Sequence, residues 1–327
     1  MTNFACSVVV CTRYRAESLA RCLASLTRLE HPSYELIVVD NTSGEHEVQE
    51  LAGEAGARYV IEPREGLSRA RNTGGRVARG RIVAYIDDDA LAERTWLDRH
   101  ANALEDPALS ASTGRILPMS LESEASRLYA AAGGEDLGEA AFRVDSTTPA
   151  WFEMANFGGV GIGCNMAFRR ELFEAGWGFR DSLGPGAGIP GEEHYAFFTL
   201  IRGGHAIVYV PDAIVRHGYP ARMDALRARR RWILHGAAAY MLMLLVEEPE
   251  FRLRTLQYMW EAARGTRRTW RRQDVGERLG SRRQLFAAAA AGVPLYLRTL
   301  RASRAGFNPR VAPTAVELER LQRSLPS

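Results

Sequence analysis

The chain has 327 residues, 46% apolar and 25% charged, an ordinary globular composition with enough apolar material for a sizeable core. Its four cysteines (Cys6, Cys11, Cys22, Cys164) lack metal-site spacing, so they imply no zinc site, and they suit buried reduced thiols in a cytosolic protein. The net charge of +3 conceals two electrically distinct parts: of 42 basic and 39 acidic side chains, 21 arginines and 9 acids fall in residues 222–327, so that stretch carries +12 and the rest −9.

The N-terminal residues have no basic n-region and run directly into a strand pattern, so a cleaved signal peptide is not expected. The first strand is SVVVCT (7–12). Arg13-Tyr14-Arg15 follows it without a glycine, against the G-x-G-x-x-G turn of a dehydrogenase-type dinucleotide fold. Residues 18–29 read as a helix with Leu19, Cys22, Leu23 and Leu26 on one face, and ELIVVD (35–40) as the second strand. The DNTSG after it either forms a turn that caps the next helix or presents Asp40 as an acceptor for a base N–H. A short strand over 58–61 precedes a helix over 67–78. Arg69 and Arg71 sit near the start of that helix, where the dipole disfavours cations; they call for an anionic partner, and Glu62 and Glu65 are sufficient ones.

In IVAYIDDDA (82–90) an apolar run of buried-strand length ends in Asp87, Asp88 and Asp89, with no basic residue until Arg94. Strand ends of an open α/β sheet face the ligand crevice, so acids there suit a divalent cation or ribose hydroxyls; the other reading is a solvated loop that starts the next helix. Alternation of strand and helix through residue 104 predicts a parallel, doubly wound sheet. Residues 105–150 are less regular and read as an insertion on the acceptor side, with a helix-like SEASRLYAAA (123–132). The Gly-rich run 158–163 and the following CNMAFRRELF read as a strand of small residues, suited to close packing, and then a helix.

Residues 184–191, with four glycines and two prolines in eight positions, are predicted to form a mobile loop. It ends in Glu192-Glu193 at the start of a helix over 195–201, where acids serve either the helix dipole or catalysis. The strand in HAIVYVPDAIVRHG leads to His217, either a structural hydrogen-bonding residue or a ligand. Beyond residue 222 the pattern is helical, over 223–246, 251–264 and 282–300. The run WILHGAAAYMLMLLV has 15 residues, short of the roughly 20 a spanning helix needs. Flanking arginines (Arg227, Arg229, Arg230, Arg231, Arg282, Arg283, Arg298, Arg301) fit either an amphipathic helix on an anionic surface or packing onto the preceding domain. No nucleic-acid docking motif accompanies them.

Six blocks, SVVVCTRYR, ELIVVDNTSG, GLSRARNTGGRVARGRIVAYIDDDA, GCNMAFRRELF, GEEHYAFFTLIRGG and VPDAIVRHG, resemble in this order the inverting bacterial glycosyltransferases of GT-A fold called family 2. The resemblance covers residues 5–220. It implies an α/β fold, Rossmann-like, with a mostly parallel sheet flanked by helices. The implied catalytic domain spans 1–221, with a nucleotide-binding half over 1–104 and an acceptor half over 105–221, followed by an Arg-rich helical extension over 222–327. By position it also implies that Thr12 and Tyr14 contact the nucleotide, that Asp40 hydrogen-bonds a uracil or thymine ring, and that Arg71 and Asn72 belong to the nucleotide-side loop. Asp87, Asp88 and Asp89 fall on the D-x-D motif, with Asp87 toward ribose, Asp89 toward Mn²⁺ or Mg²⁺, and His217 completing the metal or diphosphate site. The family's E-D pair is here Glu192-Glu193. Glu193 thus stands where an aspartate base is usual, with Glu192 as the acceptor-binding alternative, and the extra methylene displaces the carboxylate by about one bond length.

The reaction implied is transfer of a sugar from a UDP- or dTDP-sugar to a hydroxyl of a polysaccharide or polyprenyl-linked acceptor, in the cytoplasm or at the inner membrane face, with peripheral contact to anionic lipid. Two other readings stay open. A sugar-1-phosphate nucleotidyltransferase would want a Gly-rich phosphate loop after the first strand, and a non-catalytic nucleotide-sugar-binding protein would tolerate a glutamate at the base position.

Overall fold

The computed structural model describes residues 4–264, 282–303, 306–307, 309, 311–314 and 317–318. Strands β1 (Cys6–Thr12), β2 (Tyr34–Asp40), β3 (Arg58–Ile61) and β4 (Ile82–Asp87) pair in parallel in the order β3-β2-β1-β4. Helices α1 (Ala16–Leu26), α2 (His46–Glu54) and α3 (Leu67–Val77) connect them. The apolar runs of β1, β2 and β4 are continuous because both faces of the sheet are covered. Alternation sorts them: Val8 and Val10 share a core with Leu19 and Leu23 of α1 and Val48 of α2, while Val9 and Cys11 belong to the opposite cluster with Ala70 of α3.

The second half comprises β5 (Ala90–Ala92), α4 (Trp96–Ala103), β6 (Leu109–Pro118), α5 (Glu124–Ala131), β7 (Phe142–Val144), α6 (Trp151–Asn156), β8 (Asn165–Arg169), α7 (Arg170–Glu174), α8 (Glu192–Arg202) and β9 (Ala206–His217). β8 runs antiparallel between β4 and β6, and β9 lies parallel to β6 and carries β5 and β7 antiparallel. The nine-stranded sheet is thus mostly parallel, with β5, β7 and β8 running against the rest.

Residues 105–150, expected as an insertion, instead supply β6, an inner strand. Its small polar residues hide the strand from a hydrophobicity pattern; they are buried because each has a partner. Ser112 Oγ meets His100 Nδ1 at 2.8 Å, Ser110 Oγ meets His205 Nδ1 at 2.7 Å, and Thr113 donates to the Val160 carbonyl. Asn165, opening β8, uses its full capacity: Oδ1 accepts from Trp96 Nε1 and His100 Nε2, both at 2.8 Å, and Nδ2 donates to the carbonyls of Arg115 and Ala213. Burial drives the His100 pKa down to about 4, so its ring is neutral. The run 158–163 is not a strand. Its glycines serve close packing, since a Cβ on Gly161 would stand 2.5 Å from the Thr113 side chain and one on Gly163 2.8 Å from the Arg71 guanidinium.

The 184–191 loop is irregular but tied, rather than free as expected. Leu67 N–H donates to Pro185 O at 3.1 Å, Ser68 Oγ to Leu183 O at 2.8 Å and Gly184 N–H to Ile189 O at 2.6 Å. Gly184, Gly186, Gly188 and Gly191 all take positive φ, the conformation that favours glycine.

Three further helices follow, α9 (Met223–Glu247), α10 (Arg252–Arg264) and α11 (Arg282–Ser303). Ala239, Tyr240 and Met243 of α9 and Tyr296 of α11 share one core with Phe197 and Phe198 of α8. Ion pairs Arg180–Glu247 and Arg202–Glu248, both 2.7 Å, reinforce the contact. Of the two roles expected for the extension, packing is the one α9 performs along this face; the side chains of Arg282, Arg283 and Arg301 lie outside the described residues. Among the described residues no helix is long and apolar enough to cross a membrane.

The approach of α3 to the sheet is set by Gly74, where a Cβ would stand 2.4 Å from Val9 Cγ1. Gly74→Ala should therefore lower the unfolding free energy by about 1–3 kcal/mol in a denaturant titration, through overpacking. An unchanged transition midpoint would contradict this packing.

Candidate active site

Parallel pairing brings the carboxyl ends of β1, β2 and β4 level, so Thr12 stands opposite Asp40 and Cys11 opposite Asp87. The α3 helix brings Arg71 under the same edge, the N-terminus of α8 brings Glu192 and Glu193, and the last residue of β9 is His217.

The three aspartates point in different directions. Asp88 is buried, accepting from Thr12 Oγ1 at 2.7 Å and from Arg15 Nη1 at 2.8 Å; burial pushes its pKa up to about 6 against those two donors. Asp87 accepts from Arg71 Nη2 at 3.0 Å, and Asp89 accepts from Arg15 Nη2 and from His217 Nε2, the latter at 3.1 Å. The compensating charges that the local sequence does not contain are thus Arg15, Arg71 and His217. Burial alone would raise the Asp89 pKa; His217 and Arg15 outweigh it and hold the carboxyl well below the usual range. His217 is shifted the opposite way: burial would lower it, but its hydrogen bonds to Asp89 and Glu135 push it up to about 10.

Asp87, Asp89 and His217 each offer a ligand atom within 4.8 Å of the others. Two carboxylates and an imidazole suit a hard divalent ion, with the nitrogen favouring Mn²⁺ over Mg²⁺; a bound cation takes the place of the Nε2 proton. Glu135, Cys164 and His217 are equally close together. They fit a cation less well, because burial pushes the Cys164 thiol well above its ordinary pKa and Glu135 is already paired with Arg229.

Arg71 is fully buried and bridges Asp87 to Glu192 Oε1 at 2.8 Å, with the Gly163 carbonyl as a third acceptor at 3.2 Å. Burial, then the neighbouring charge of Glu193, pushes Glu192 up to about 7, and burial likewise raises Glu193. The two glutamates are unequal in freedom. Glu192 is hydrogen-bonded by Arg71, while Glu193 meets His194 Nε2 at 3.9 Å and feels the Arg71 charge and a side-chain hydrogen bond with Glu192, with no arginine ion pair of its own among the described residues.

Other expected site residues lie elsewhere. Asp40 is 0% exposed, and its oxygens accept from Thr42 Oγ1 at 2.7 Å, the Glu45 N–H at 2.8 Å and the Tyr59 hydroxyl at 2.6 Å, so in this structure it turns inward as a loop acceptor. Asn72 also faces inward: Nδ2 donates to Phe179 O at 2.7 Å and Oδ1 accepts from Phe179 N–H at 2.7 Å, fixing the loop that leads to Glu192. Thr12 holds Asp88 and is itself buried. Tyr14 is 68% exposed at φ 55°, with the Arg13 guanidinium 5.0 Å from its ring centre. Arg69 and Arg71 find Asp181 and the Asp87–Glu192 pair, not Glu62, which Arg64 and Thr73 occupy, nor the Glu65 carboxylate, which Arg13 meets; Arg69 reaches only the Glu65 carbonyl, at 3.3 Å.

Sequence reasoning missed Arg15, Glu135 and Arg229 as members of this group. Arg15 lies in the block after β1 and was legible as a cation near the acids once β1 and β4 are paired; Glu135 and Arg229 carry no local signal. Removing Arg71 would leave Glu192 buried beside Asp87 without a counter-charge. Arg71→Met should cost about 3–5 kcal/mol of stability in thermal or denaturant unfolding, and a loss under 1 kcal/mol would contradict the bridge.

The family model described as glycosyl transferase family 2 matches residues 7–177. Among curated proteins, Glycosyltransferase AglE of Haloferax volcanii is 28% identical over 118 residues, 34% of this chain and 38% of its own length. Glucosyl-dolichyl phosphate glucuronosyltransferase of the same organism is 27% identical over 245 residues, covering 69% of this chain and 74% of its own. Among solved structures, the mannosyltransferase PcManGT from Pyrobaculum calidifontis, in complex with GDP-Man and Mn²⁺, superposes with a TM-score of 0.50 at 18% identity, over 99% of this chain and 76% of that one, and shares the fold. With over half its length matched, the chain belongs to glycosyl transferase family 2 and is a glycosyltransferase of GT-A fold.

Proposed function

We propose that the enzyme transfers a sugar, with inversion and with a divalent cation, from a nucleoside diphosphate sugar to a hydroxyl of a lipid-linked or polysaccharide acceptor. The observation that carries this reading is the continuity from Asp87, Asp89 and His217 through Arg71 to Glu192 and Glu193: a cation site and a carboxylate pair on one buried bridge. A nucleotidyltransferase has no need of the second carboxylate pair. The donor is UDP- or dTDP-linked on the sequence reading; with Asp40 turned inward, the base is open to a panel of UDP, dTDP and GDP sugars. A relative named for glucosyl-dolichyl phosphate supports a polyprenyl-linked acceptor. Peripheral contact with anionic lipid is supported by Leu253, Leu256 and Trp260, exposed at helical spacing on one face of the arginine-rich α10.

Asp87, Asp89 and His217 would hold Mn²⁺ or Mg²⁺, which would supply Lewis-acid stabilisation to the departing diphosphate. Glu193, the freer glutamate, takes the proton of the acceptor hydroxyl as its oxygen attacks the anomeric carbon and the carbon–diphosphate bond breaks. Glu192, held by Arg71, keeps the pair at a fixed distance from the donor edge. The half-exposed Arg15 adds positive charge where the diphosphate accumulates negative charge.

Three measurements test this. Asp89→Ala should abolish Mn²⁺-dependent nucleoside diphosphate binding in calorimetry, and retained affinity would remove the site. Glu193→Gln should lower kcat about 10²–10⁴-fold with little change in donor affinity; wild-type turnover would reassign the base. A base works only when ionised, and burial raises Glu193, so kcat/KM should begin to fall with decreasing pH above the ordinary carboxylate range. A rate flat to pH 5 would exclude the pair.

A further inference from the structure

Glu135 lies in the 132–141 connection between α5 and β7 and is only 3% exposed, yet no strand pairing requires it there. Four groups converge on it. Oε2 accepts from His217 Nδ1 at 2.8 Å; Oε1 accepts from the Arg229 guanidinium of α9 and from the Tyr129 hydroxyl at 3.2 Å; and its backbone N–H donates to the Tyr219 hydroxyl at 3.1 Å. The surroundings are packed: Tyr219 meets Tyr129 edge-on at 4.8 Å between ring centres, Arg229 Cζ lies 5.3 Å from the Tyr129 ring, and a Cβ on the preceding Gly134 would stand 2.6 Å from the Tyr219 hydroxyl.

A carboxylate on one ring nitrogen of a histidine fixes the ring's orientation and raises its basicity, leaving the other nitrogen aimed at whatever lies beyond. Here Nδ1 is on Glu135 and Nε2 faces Asp89, with Asp87 within ligand distance. The geometry points to Glu135 as the positioning residue for His217, with Arg229 as its counter-ion, so that the first turns of the C-terminal extension help set the cation affinity of the active site. Arg229 touches neither aspartate of the cluster; its influence runs through Glu135. This rests on the reading of Asp87, Asp89 and His217 as the cation site.

The test is a titration of the full chain with Mn²⁺ alone, free ion followed by electron paramagnetic resonance, on wild type, Glu135→Ala, Glu135→Gln, Arg229→Gln and Asp89→Ala, with a thermal melt of each. Glu135→Ala should weaken Mn²⁺ binding about 10–100-fold. Glu135→Gln should weaken it less, because an amide oxygen still accepts from Nδ1–H, and it serves should the alanine variant not fold. Arg229→Gln should weaken it measurably with both aspartates intact. A role in packing alone would lower the melting temperatures and leave the affinity unmoved. Unchanged Mn²⁺ affinity in folded Glu135→Gln and Arg229→Gln, with binding lost in Asp89→Ala, would overturn the positioning role and leave the cation site standing. Binding retained in Asp89→Ala would overturn the site itself and this inference with it.

Discussion

A single buried guanidinium fixes the geometry of the acid-rich edge of the sheet. An unpaired charge cannot be kept in a protein interior, so Arg71 must find anions wherever the fold places it, and those anions must come to it. It draws together the end of β4 through Asp87, the start of α8 through Glu192 and the segment before β8 through the Gly163 carbonyl. The demand propagates outward. Helix α3 lies close enough to deliver Arg71 only because Gly74 and Gly75 leave room for Val9 and Phe173. Asn72, one residue on, pins the strand of chain at Phe179 that leads toward the glutamates.

Around that bridge the acid-rich edge is balanced, not neutralised in bulk. Each aspartate of the triplet meets a cation: Asp87 meets Arg71, Arg15 serves both Asp88 and Asp89, and Asp89 also meets His217. The division explains why the neighbouring carboxylates of Asp88 and Asp89 differ in affinity for protons, with Asp88 raised by burial and Asp89 held low by its partners. The glutamate pair is raised because both members are buried, which outweighs the Arg71 charge that each of them feels. Groups poised to stay ionised and a group poised to accept a proton near neutral pH therefore stand on opposite sides of one arginine, an arrangement that fits acid–base chemistry beside a cation.

The C-terminal helices complete this centre. Tyr240 of α9 lies against Gly191, next to the glutamates, and its hydroxyl bonds Asn156 at 2.7 Å, while Glu247 and Glu248 pair with Arg180 and Arg202. The arginine excess of the extension is partly spent on such pairings, so its net charge is a poor guide to what it touches. Exposed apolar side chains lie on all three helices, with Trp232, Ile233 and Val246 on α9, Leu253, Leu256 and Trp260 on α10, and Val293 and Leu297 on α11.

The sequence alone determined the strands whose both faces are apolar, the acids that end β4, the paired glutamates opening α8 and the histidine at the end of β9, because periodicity and abrupt changes of polarity are local properties. It concealed β6, whose Ser110, Ser112 and Thr113 have no apolar period and are buried only because His205, His100 and a carbonyl meet them. Only the tertiary structure decided the partners: that Asp40 turns inward to Tyr59, that Arg15 reaches the triplet, and that Glu135 and Arg229 stand behind His217. A charged side chain chooses among anions or cations 16 to 128 residues away by which elements meet in space. That choice depends on packing of the whole sheet and its helices, for which no local pattern exists.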